Sequence, residues 1–75
     1  MERATFTRII NNFDDGETVI FATSAINANS SQIIAALKPT IDFSDDSFIT
    51  IDKSTKDKQL VYYIPYKNIL MIMKG

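Results

Sequence analysis

Residues Leu60 to Gly75 read LVYYIPYKNILMIMKG, and the proline at position 65 decides how the chain folds. Proline brings no N–H to a sheet ladder and holds the preceding Ile64 extended, so Pro65 ends one strand rather than interrupting a single long one. Pro65-Tyr66-Lys67-Asn68 then reads as one tight 3₁₀-like turn, and Ile69 to Met73 as a short last strand. The stretch is two strands and a corner. Tyr66 and Lys67 are expected at an exposed turn, whereas Tyr62 and Tyr63 must point to opposite faces of one strand.

Working upstream, Asp52 to Lys58, DKSTKDK, is a polar hairpin tip, and Phe48 to Ile51 is the strand that pairs with Leu60 to Ile64. Ser44-Asp45-Asp46-Ser47 is a turn, preceded by Ile41 and Phe43 alternating with acids. Ala25 to Pro39, AINANSSQIIAALKP, is ambiguous: Ser30 or Ser31 can cap a short helix that Pro39 stops, or IIAAL can be part of a long bent second strand. Glu17 to Ser24, ETVIFATS, has the β-branched and aromatic content of a strand. Asp14-Asp15-Gly16 before it is a turn signal. Phe6, Ile9, Ile10 and Phe13 fall at i, i+3, i+4 and i+7, one face of a helix from about residue 2 to 13.

The chain has 75 residues, 45% of them hydrophobic and 23% charged, so a single globular domain over 1–75 with one small core is expected. A core of this size supplies only about 3–5 kcal/mol, which makes self-association useful. With no cysteine, neither a disulfide nor a thiolate metal site can staple it. The N-terminus lacks a long apolar run, and the longest such stretch, ILMIM, is far short of the ~20 residues that span a bilayer. A soluble, cytoplasmic protein without membrane contact is expected.

The net charge of −1 is unevenly spread. Residues 1–52 carry three bases against eight acids, whereas residues 53–75 carry five lysines against Asp57 alone. The absence of His, Cys and Trp removes the commonest general acid–base residue and the thiol nucleophile, so no enzyme and no cofactor is expected. Asp42, Asp45 and Asp46 with Asp52 nearby carry oxygen ligands suited to Ca²⁺ or Mg²⁺. Their spacing fits no EF-hand loop, and a solvated turn accounts for them. Asn29-Ser30-Ser31 is a glycosylation sequon relevant only to a secreted protein.

The order of elements resembles the small five-stranded barrels of the SH3-like and Sm-like families. IPYKNILMI is similar to the proline-started 3₁₀ turn before the last strand of SH3-like domains. Sm-like proteins add the N-terminal helix, and in their Hfq branch this turn carries Tyr-Lys-His where the present chain has Tyr66-Lys67-Asn68. The resemblance implies a mostly β (α+β) fold, with the helix followed by a barrel over about residues 17–74. It also implies a single-stranded RNA site in which Lys67 contacts phosphate, Asn68 occupies the base- or ribose-contacting histidine position, and Phe48 stacks.

Lysines release counterions from phosphates and aromatic faces stack on unpaired bases, so the nucleic-acid candidates are Phe48, Tyr66, Lys67 and Asn68 with Lys53, Lys56 and Lys58 of the hairpin. Strands as apolar as LVYYI and ILMIM at a sheet edge template pairing with another chain. The candidate oligomer interface is therefore Leu60, Tyr62, Ile64, Ile69, Met71 and Met73. Three functions are compatible with these residues. The first is an RNA-binding homo-oligomer, the second a protein-interaction or structural adaptor using the tyrosine-bearing C-terminal strands, and the third a small-ligand or metal-binding regulator at the Asp42 to Asp46 turn.

Overall fold

Of the apolar face Phe6, Ile9, Ile10 and Phe13, the first three lie on a helix, α1, Arg3–Ile10, and Phe13 follows just beyond its end. In the computed structural model, which describes residues 1–24 and 31–75, Phe6 and Ile10 are fully buried and Phe13 nearly so. The helix is shorter than the expected 2–13, because Asn12 and Phe13 donate to Ile9 and Ile10 and tighten the last turn into 3₁₀-type bonds. The Asp14–Glu17 turn closes reciprocally. Glu17 N–H donates to the Asp14 carbonyl at 3.0 Å, and Asp14 N–H donates to the Glu17 carboxylate at 2.8 Å.

Strand β1, Thr18–Ser24, alternates as a half-buried strand should, with Val19, Phe21 and Thr23 inward. Within the ambiguous segment, Ser31–Leu37 is a strand, β2, paired antiparallel with all of β1 from Thr18↔Leu37 to Ser24↔Ser31. The seven ladder positions explain why pairing prevails over the helix-forming content of AALK. The sequon and the Ser30 cap fall at least partly on residues 25–30, outside the described residues.

A 3₁₀ turn, Lys38–Thr40, leads into the two-residue β3, Ile41–Asp42, which pairs with β4, Phe48–Asp52. Strand β5, Val61–Pro65, pairs with β4 in the register Phe48↔Pro65 to Asp52↔Val61. A second 3₁₀ turn, Tyr66–Asn68, then leads to β6, Ile69–Lys74, which returns antiparallel to β1. In place of one closed five-stranded barrel, the described residues form six strands in two three-stranded sheets, ordered β2-β1-β6 and β3-β4-β5. The described residues are mostly β with one short N-terminal helix. Pro39 accounts for the additional strand, since it lies in the turn that separates β2 from β3.

Both passages between the sheets are 3₁₀ corners containing or preceded by proline. Between the sheets lie Val19, Phe21, Ile49, Ile51 and Ile69, with α1 adding Phe6 and Ile10. Phe6 is the centre of an aromatic cluster. Its ring stacks on Phe21 at 5.8 Å and meets Phe43 and Tyr66 edge-on at 6.1 and 5.5 Å.

Candidate interaction surfaces

The corner after Pro65 forms where the sequence places it, but it turns its tyrosine inward. Tyr66 is 5% exposed, its N–H donates to Ser47 at 3.2 Å, and its hydroxyl donates to the Phe43 carbonyl at 3.0 Å. Burial pushes the phenol pKa above its ordinary 10.0, opposed by the nearby Arg3. The exposed corner expected for Tyr66 and Lys67 therefore holds for Lys67 alone. The Met1 amino group donates to the Tyr66 and Ile69 carbonyls at 2.8 and 3.2 Å and ties the start of the chain to the same corner. Asn68 is half-buried, and its carbonyl accepts from the Ser24 hydroxyl at 3.4 Å.

Phe48 lies opposite Pro65 in the β4–β5 register and packs edge-on against Tyr63 with ring centroids 5.5 Å apart. Tyr63 is 66% exposed, the most open aromatic on this face, and joins Phe48 as an aromatic candidate. The signal for it was the two-residue alternation that sends its neighbour Ile64 into the core. Phe48, Tyr63 and Lys67 thus lie near one end of the β4–β5 pair.

Lys53, Lys56 and Lys58 lie at the other end, on the exposed hairpin tip, where Lys53 Nζ sits 5.9 Å from the Tyr62 ring. The tip is organised by its own bonds. Thr55 N–H donates to Lys58 at 2.7 Å and Ser54 N–H to the Asp52 carboxylate at 2.9 Å. Five strand residues separate tip from corner, a span of about 15 Å, so the seven nucleic-acid candidates divide into two groups.

The interface candidates divide as well. Ile64 and Ile69 fill the core at 7% and 1% exposure, because strand alternation directs Ile64 inward and the corner brings Ile69 over β1. These two are corrected from interface to core. Leu60 and Tyr62 are half-buried, while Met71 and Met73 are exposed. A register shift on β1 between Ala22 and Thr23 leaves Leu70 as an extra residue, so Leu70 and Met71 both face outward.

These residues join a surface larger than the β6 edge. On the outer face of β2-β1-β6, Ile33, Ala22 and Met71 form one cross-strand row, and Ala35, Ile20 and Met73 form the next. Leu37 and Thr18 continue it, and no charged side chain interrupts these rows. Ile33 and Leu37 belong to a run of five apolar residues without periodicity, so the sequence does not say which face they occupy.

The acidic turn is occupied locally. Asp42 accepts from the Ser44 N–H and hydroxyl at 2.9 and 2.7 Å, which holds its pKa below the usual value, and Asp45 accepts from Ser47 N–H at 2.8 Å. Asp46 lies 3.7 Å from Arg3. Among the described residues no three of His, Cys, Asp and Glu converge as metal ligands. No described helix is long and apolar enough to cross a membrane. No protein-family model, curated protein or solved structure shows a significant match to the chain.

Proposed function

We propose that the protein is a non-catalytic interaction module that works by protein–protein assembly. The observation that carries this reading is the outer face of β2-β1-β6, where Ile33, Leu37, Leu70 and Met71 are each more than half exposed and the cross-strand rows hold no charged residue. An antiparallel sheet with one solvated face alternates apolar and polar residues, and here both faces of β1 and β2 are apolar. The corner connections at Lys38–Thr40 and Tyr66–Asn68 support the likeness to SH3-like and Sm-like barrels.

Introducing a photoreactive residue at position 71 in living cells tests this reading. A discrete protein adduct is the expected result, and its absence removes the reading.

Single-stranded RNA binding is the second reading, favoured by the Phe48–Tyr63 ring pair, in which Tyr63 is exposed, and by the exposed Lys67 on the corner that follows β5. Base stacking on the aromatic pair with a phosphate on Lys67 would give binding that weakens with salt. Titration of labelled oligouridine at low salt, repeated with Lys67→Ala, tests it. Absence of binding by the unmodified chain eliminates it.

A further inference from the structure

We infer that the apolar outer face of β2-β1-β6 is an interface between two copies of this chain, packed sheet face on sheet face about a two-fold axis. The inference rests on the interaction-module reading and names its partner. At the exposures of Ile33, Leu37, Leu70, Met71 and Met73, these side chains present on the order of 500 Å² of apolar surface, in the upper part of the roughly 300–600 Å² that the largest patch of a monomer spans and that is often functional. Doubled across a two-fold, this is ~1,000 Å², the lower limit for a specific protein interface.

The chemistry of the face selects a second copy. With no charge in its rows, it needs a partner face equally free of charge, since any ionic group opposite would be desolvated without a counter-ion. Its own duplicate meets that requirement with no like-charge pair at the centre. The relief is also suited to self-packing: Ala22 and Ala35 form low points beside Ile33, Ile20 and the β6 methionines, so projecting residues of one copy can fill depressions of the other. At the rim, Lys74 pairs with Glu17 at 3.3 Å. Along the β2 edge, Asp52 and Lys53 lie beside Ala35 and Leu37, so the rim carries both charge signs rather than the ring of bases that an anionic lipid surface would require.

Sedimentation equilibrium of the full chain from 1 to 200 µM tests the inference, using the unmodified protein, Ile33→Glu, Met71→Lys and, as a control, Tyr63→Lys. The 8.5 kDa chain is expected to reach twice its mass with rising concentration. Each sheet-face variant is expected to weaken the dimer by roughly 30-fold, as loss of a central contact does, while Tyr63→Lys leaves it intact. The altered positions are exposed, and circular dichroism verifies that each variant remains folded. A monomer throughout the range overturns the inference, as does a dimer indifferent to both sheet-face changes. If a monomer still crosslinks a different protein from position 71, the self-association fails and the interaction-module reading survives. A monomer that crosslinks nothing ends both.

Discussion

The Tyr66 hydroxyl donates to the Phe43 carbonyl at 3.0 Å, fastening the corner between the sheets to the segment that follows β3. The bond joins positions 23 residues apart and leaves a phenol at the centre of the fold rather than on its surface.

Tyr66→Phe keeps the ring against Phe6 and removes this bond, at a cost of about 1 kcal/mol measured by urea denaturation at pH 7. The raised phenol pKa gives the alkaline sign. In the unfolded chain the phenol ionises near 10.0, before the folded one does, so the stability it contributes is complete below that pH and falls as pH rises through the folded value. Denaturation from pH 9 to 11.5 should show a decline that Tyr66→Phe reduces. An identical decline in the variant would refute the assignment.

Phe6→Ala removes the ring shared by Phe21, Phe43 and Tyr66 and is expected to cost about 3–5 kcal/mol. That equals what so small a core supplies, so the variant should lose its cooperative thermal transition and its near-ultraviolet dichroism. A sharp transition within a few degrees of the parent would contradict this.

Lys38 Nζ donates to the Phe13 carbonyl at 2.6 Å and lies 3.7 Å from Asp15, joining the corner after β2 to the end of the helical segment. Lys38→Met preserves the aliphatic stem and should destabilise by ~1.5–3 kcal/mol through the lost charged hydrogen bond. Asp15 is exposed, so Asp15→Asn should change stability by less than about 1 kcal/mol. Chemical denaturation of the two variants separates the contributions.

Gly16 reads as a turn glycine, yet its φ is not positive and an added Cβ would meet no atom within 4 Å. Gly16→Ala should therefore stabilise by about 0.4–1 kcal/mol through the unfolded chain. A lower melting temperature would show that the turn needs glycine after all.

Three carboxylates govern the acid limb. Glu17 is lowered by the Asp14 N–H and then by Lys74, Asp42 by the Ser44 N–H and hydroxyl, and Asp52 by Ser54. A lowered folded pKa contributes stability above the unfolded value that is lost as pH falls through the folded one. The urea midpoint should be level from pH 5 to 7 and drop below about pH 4, less steeply in Asp42→Asn. A midpoint independent of pH down to 3 would rule out these assignments.

Local chemistry in the sequence determined most of the element order. Pro65 had to end a strand because it has no N–H, the Phe6 to Phe13 spacing had to form a helical face, and the Asp–Ser turns close through their own side chains. What depended on partners distant in the chain only tertiary structure could decide. Pairing with β1 made Ser31–Leu37 a strand, since five consecutive apolar residues carry no periodicity of their own. Closure against Phe6 and Phe43 turned Tyr66 inward, although its neighbours suggested an exposed corner. The open apolar face arises because β2 and β6, far apart in sequence, flank β1, and their outward residues form a surface only in that arrangement.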